Sequence, residues 1–102
     1  MKNVRVSSGP PAIHPGEYIR EALGDLGITQ ATLARALGVP AMRISLLVRE
    51  ERPVTAELAL RLGQAFGQRP QYWLNLQADY DLKIAKAVFK NSLRHVRELV
   101  AD

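Results

Sequence analysis

The chain has no cysteine, which removes disulfides, thiol nucleophiles and thiolate metal sites at once and fits a reducing cytoplasm. No apolar run approaches the roughly 18 residues that a bilayer-crossing helix needs, so no membrane partner is expected. The opening stretch MKNVRVSSGPPAIHPG lacks the apolar segment of roughly 7–15 residues that defines a secretory signal. Only two histidines are present, His14 and His95, and they are too distant in sequence to form an i, i+4 metal pair. Asp79 and Asp81 stand two apart, so on a helix they point in different directions. Glu50 and Glu51 are adjacent carboxylates without a partner base, and there is no glycine-rich phosphate loop. The expectation is therefore no enzyme, with no catalytic residue, no metal and no cofactor.

What remains is a chain of 102 residues, 47% hydrophobic, long enough to bury one core. Apolar residues rarely alternate with period two, and helical spacings dominate from residue 16 onward, so an all-α fold is expected. No internal repeat or second domain is visible. The formal net charge of +4 favours a polyanionic partner, although the basic residues are spread along the chain.

Residues 1–13, with Ser7, Ser8, Gly9, Pro10 and Pro11 together, read as a flexible or extended arm, and residues 14–102 as the domain. Pro15 suits the first turn of a helix that carries Ile19, Leu23 and Leu26 and stops at Gly27. Thr29 caps a second helix, and Pro40 stands where a third begins. Pro53 prevents helix continuation through the loop from Glu50 to Val54. Thr55 caps a fourth helix, Glu57 favours its positive end, and Leu58, Leu62, Ala65 and Phe66 form its stripe up to Gly67. Pro70 opens a fifth helix with Tyr72, Trp73, Leu76, Tyr80 and Ile84. Trp73, Leu76 and Tyr80 follow core spacing rather than the cation-interleaved pattern of a single-strand stacking platform. Asn91 or Ser92 is a candidate cap for a short last helix with Leu93, Val96 and Val100 on one face.

The most informative stretch is TQATLARALGVPAMRISLLVR, residues 29–49. Leu33, Ala34 and Leu37 form one buried stripe. Ala34 is small where a second helix crosses closely, and Gly38 supplies positive φ at the turn. Ile44, Leu47 and Val48 set the inner face of the next helix. An ordinary helical hairpin would share a stripe and a turn glycine. Here every position of a DNA-binding helix-turn-helix is met together, and the opposite face is free for a major groove.

The flanking residues are more specific. HPGE at 14–17, LARALGVP at 33–40, ALRLGQAFG at 59–67 and PQYWLNLQADYDL at 70–82 together resemble the HigA family of antitoxins, lambda-repressor-like helix-turn-helix proteins. The resemblance runs from about His14 to Lys86. It implies a compact five-helix lambda-repressor-like DNA-binding core, to which the pattern here adds a short C-terminal helix. It implies a homodimer on an inverted-repeat operator in double-stranded DNA and repression of the protein's own operon. It also implies neutralisation of a RelE-like toxin that cuts messenger RNA.

On this reading the DNA surface comprises Thr29 and Gln30 at the start of the second helix, where free N–H groups suit a phosphate. It continues through Pro40, Ala41, Met42, Arg43, Ser45 and Arg49 on the outer side of the third helix, with Arg52 extending the strip. Arg43 is the best base or phosphate reader, because a guanidinium can bind guanine O6 and N7 bidentately. Met42 and Leu46 depart from the family by placing apolar side chains one turn apart on the outward face. Glu50 and Glu51 depart by placing carboxylates where relatives carry glycine followed by a cation. These departures keep open a toxin-binding protein with weakened DNA binding, and a stand-alone repressor without a toxin is the other alternative.

Overall fold

The structure is a computed structural model that describes residues 11–100. Five helices follow in order: α1 (Pro15–Leu26), α2 (Gln30–Leu37), α3 (Ala41–Val48), α4 (Ala56–Phe66) and α5 (Pro70–Leu93). No strand-forming ladder accompanies them among the described residues, so the all-α expectation holds. Of the arm expected over residues 1–13, residues 1–10 lie outside the described residues, and Ala12 is wholly buried.

The local signals act where they stand in sequence. Thr29 Oγ1 accepts the Thr32 N–H at 3.1 Å, and Thr55 Oγ1 accepts the Leu58 N–H at 3.2 Å, each satisfying a donor the helix leaves orphaned. Gly38 ends α2 with φ 72°, where a side chain would be strained. Its N–H and that of Val39 return to the Arg35 and Ala34 carbonyls, turning the chain sharply into α3.

The core gathers Ile19 and Leu23 of α1, Leu33, Ala34 and Leu37 of α2, and Ile44, Leu47 and Val48 of α3. Val54, Leu58, Ala59, Leu62 and Trp73 complete it from the α4 side. Burying a side chain such as Leu47 or Ile44 contributes about 1.5–3 kcal/mol, so this cluster fixes the helix arrangement. Two expected stripes each lose one residue, while Ile19, Leu23, Leu58 and Leu62 are buried and Phe66 packs against the core as expected. Leu26 is exposed, and α1 instead buries Pro15, Gly16, Ile19 and Leu23. Ala65 is exposed, and α4 buries Leu58, Ala59, Leu62 and Gly63, because α5 folds back against that side.

The expected short C-terminal helix is not formed. α5 runs straight through Asn91 and Ser92 to Leu93, and residues 96–100 carry no helix. No glycine or proline interrupts the chain between Pro70 and Leu93, so the strong helix formers simply continue. Leu93, Val96 and Val100 are all exposed, with no neighbouring element among the described residues to bury them.

α1 and α3 approach each other closely at Gly16. A Cβ built on Gly16 would collide with the Leu47 carbonyl oxygen, whereas one on Gly24 of the same helix meets nothing within 4 Å. Gly16→Ala is therefore expected to destabilise the fold by about 1–3 kcal/mol through overpacking. Gly24→Ala is expected to stabilise it by about 0.5–1 kcal/mol. Chemical denaturation of both variants checks the contrast, and equal effects would remove the close crossing as its cause.

Candidate nucleic-acid interface

α3 presents two sides of unlike character. Ile44 and Leu47 are wholly buried and Val48 nearly so, while Pro40, Ala41, Met42 and Arg49 are exposed. Arg43 and Ser45 are half-exposed between them. Thr29 is exposed and Gln30 half-buried at the start of α2. Thr29 is occupied as a cap, its hydroxyl also donating to Thr32 Oγ1 at 3.0 Å. Arg52 lies exposed in the loop after α3. The expected residues thus share the end of the domain built by α2, α3 and the α3–α4 loop.

Three polar ties hold this end in place. Arg20 of α1 donates to the Val48 carbonyl at 2.8 Å, closing the last turn of α3. Arg61 of α4 donates to the Leu37 carbonyl at 2.9 Å, closing the last turn of α2. Cations at helix C-termini also meet the negative end of the helix dipole. In the loop, the buried Gln77 side chain accepts the Val54 N–H at 2.7 Å and donates to Asp81 at 3.0 Å. A buried N–H left without such a partner costs about 1–3 kcal/mol, so Gln77 decides the path of the loop.

His14 makes a fourth tie. The residue is 3% exposed, and its Nδ1 accepts the Gly16 N–H at 2.9 Å as the cap of α1. The ring meets Tyr80 of α5 edge-on, 5.0 Å between centroids, and hydrogen-bonds the Arg52 backbone. Burial holds the imidazole below its ordinary pKa, against the opposing pull of Asp81 and the Arg52 contact. One residue of the HPGE opening therefore joins α1, α5 and the loop that follows α3. Burial, with the negative charges of Glu50 and Asp81 beside it, raises the Tyr80 hydroxyl pKa.

The side chains that would read DNA are less free than their positions in sequence suggest. Arg43 is bound to Glu57 of α4, Nη2 to Oε1 at 3.2 Å and Nη1 to Oε2 at 3.4 Å. Glu57 also receives Arg61 Nε at 3.0 Å, and hydrogen bonds from Arg43 and then Arg61 hold its carboxyl below the usual range. Arg49 pairs with Glu51 at 3.5 Å. Sequence reasoning placed Glu57 only at the helix dipole and assigned nothing to Arg20, Arg61 or Gln77. The i, i+4 spacing of Glu57 and Arg61 signals their pair, but nothing local signals Arg43, fourteen residues away.

Two expected departures take a different form in space. Met42 is 61% exposed, but Leu46 is half-buried and turns into an open cavity of about 350 Å³. That cavity lies between α3, the loop and α4, with Leu47, Pro53 and Leu58 as its apolar wall and Arg43 and Arg52 at its rim. Met42 is therefore the fully exposed member of the pair, while Leu46 faces the open cavity beside it. Glu50 takes φ 64°, the left-handed position after a helix that usually calls for glycine, and is half-buried near Tyr80. Its carboxylate is directed to the protein, and Glu51 is matched by Arg49.

Charge does not single out this face. Thr29 to Glu57 contains four arginines against three glutamates, whereas Leu82 to Arg97 contains five cations and no carboxylate. The basic balance of the chain thus lies mainly on distal α5 and the segment beyond it.

The sharp α2–α3 turn, the sealed inner face and the exposed outer face of α3 define a helix-turn-helix DNA-binding domain. A helix-turn-helix family model, HTH_3, matches residues 19–73. Virulence-associated protein I of Dichelobacter nodosus is 52% identical over 77 residues, covering 74% of this chain and 71% of that protein. Antitoxin HigA-1 of Vibrio cholerae is 34% identical over 85 residues, covering 82% and 80%. The solved structure of the Pseudomonas aeruginosa antitoxin HigA with the higBA promoter superposes with a TM-score of 0.81 at 42% identity, covering 88% and 99%. The chain belongs to the HigA family of helix-turn-helix antitoxins.

The His14 tie has a pH signature. Its pKa in the fold lies below the unfolded value of 6.5, so the unfolded chain takes up the proton first as pH falls. This contribution is complete above about 6.5 and is lost progressively below it. Thermal melts should therefore drop between about pH 7 and pH 5.5. His14→Asn keeps a cap acceptor without the titration and should flatten that drop, whereas an unchanged pH dependence would assign it elsewhere.

Proposed function

We propose that this chain is the antitoxin of a type II toxin–antitoxin module in the cytoplasm. It binds an inverted repeat in its own promoter as a homodimer and so represses its operon. It also neutralises a RelE-like toxin that cleaves messenger RNA. The observation that carries the DNA-binding half is α3: its inner side is sealed in the core while Pro40, Ala41 and Met42 stand exposed, with Arg43 and Ser45 half-exposed beside them. A relative solved with promoter DNA, at 42% identity over nearly its whole length, supports a DNA-binding role for this chain.

In this reading the free N–H groups at the start of α2, with Thr29 and Gln30, seat a DNA phosphate. Arg43 reads a base edge, Ser45 donates or accepts beside it, and Met42 touches a thymine methyl. Arg49 and Arg52 add backbone contacts. A dimer places two copies of α3 about 34 Å apart, one helical turn of DNA. The exposed apolar residues of α5, Leu82, Phe89 and Leu93, are where a second copy or the toxin finds surface to bury.

A reading as a toxin binder with weakened DNA binding is favoured by one observation, the capture of Arg43 by Glu57. A footprint on the promoter decides between them. The proposal expects a protected inverted repeat. It also expects Arg43→Ala to weaken binding to that repeat by about 1–3 kcal/mol, selectively against one base pair. Arg52→Ala should weaken all DNA alike and reduce the salt dependence by about one ion. The absence of any protected repeat would leave only the toxin-binding role. That role is tested by co-expression with the protein of the neighbouring reading frame, which should restore growth and yield a complex.

A further inference from the structure

The contact between Arg43 and Glu57 has a geometry beyond simple charge pairing. The two carboxylate oxygens take the two Nη atoms, one each, so the guanidinium is held end-on. Its lateral edge, Nε together with the second Nη2 hydrogen, is not used by this fork. That edge is itself a bidentate donor matched to guanine O6 and N7. Glu57 is in turn fixed from behind. Arg61 Nε reaches Oε2 at 3.0 Å, while Arg61 Nη1 is anchored on the Leu37 carbonyl at 2.9 Å. A continuous polar chain thus runs from the last turn of α2, through α4, to the outer side of α3.

The geometry points to Glu57 as a positioning residue that sets the DNA selectivity of this surface by holding Arg43 end-on. This rests on the reading of Arg43 as a base reader. Side-chain exposures of 37% for Arg43 and 54% for Glu57 make the pair a solvent-exposed one. Such pairs add little to stability, so the effect of Glu57 is directional rather than energetic. An Arg43 released from Glu57 regains its rotamer freedom and becomes an unpaired cation. It then swings to phosphate oxygens of any sequence and must be ordered anew to read a base.

The test uses the full chain and two duplexes of equal length, one carrying the promoter repeat protected in a footprint and one with that repeat scrambled. Affinities of the wild type, Glu57→Gln, Arg43→Ala and the double variant are measured between about 50 and 200 mM salt. Glu57→Gln should lower the repeat-to-scrambled ratio by about threefold to tenfold, the scale of ordering one long side chain. Binding of the scrambled duplex should tighten and its logarithmic salt slope should steepen by about 0.9, one added phosphate contact. In the Arg43→Ala background the glutamine should leave the ratio unchanged. A merely structural Glu57, stabilising the first turn of α4, would move the melting temperature but not the ratio.

A ratio in Glu57→Gln equal to the wild type's overturns the inference. So does an equal loss with and without Arg43. If Arg43→Ala alone keeps the wild-type ratio, the base-reading role of Arg43 fails and this inference with it. If Arg43→Ala collapses the ratio while Glu57→Gln does not, the reading of Arg43 stands and the inference alone falls.

Discussion

Everything proposed for the outer side of α3 depends on that helix being held by its backbone rather than by its exposed side chains. The Gly16 backbone of α1 packs directly on the Leu47 carbonyl, an approach that leaves no room for a Cβ. One residue later, Arg20 takes up the Val48 carbonyl. The loop beyond is caught through its backbone by Gln77 and by His14. Buried polar contacts of this kind tolerate few alternative arrangements, because each broken one leaves a desolvated group unpaired. The outer residues are thereby free to vary without loosening the frame.

That frame explains why some of the molecule was legible in sequence and some was not. The caps Thr29 and Thr55 and the stops Gly27, Gly38 and Gly67 act within a turn of where they stand, and all five fall at the expected helix ends. The inner face of α3 was equally legible, since 3.6-residue spacing alone puts Ile44, Leu47 and Val48 together. The extent of α5 was not, because a favourable cap at Asn91 matters only where the preceding helix has a reason to stop. Leu26 and Ala65 fit the helical stripes, yet which stripe is buried depends on where the neighbouring helices lie.

The site itself was half legible. Which residues stand on α3 and α2 followed from the helix-turn-helix spacing. Their partners did not, because Arg43 meets Glu57 and Arg20 meets Val48 only through tertiary packing. Glu50 is the clearest case. In sequence it reads as a carboxylate facing a phosphate backbone. In the fold it fills a left-handed position and turns towards Tyr80. The outer surface around α3 is consequently less acidic than its sequence suggests, and Arg43, its proposed base reader, is already paired with Glu57.

The central claim is that the outer side of α3 and the start of α2 bind the promoter. An amide-detected NMR titration of the full chain with the promoter duplex tests this most directly, because it reports each backbone position separately. The account predicts saturable shifts at Gln30, Ala41, Met42, Arg43 and Ser45, with Leu60 and Gln64 on the exposed side of α4 unmoved. Shifts confined to α5, or none at saturating duplex, would contradict it.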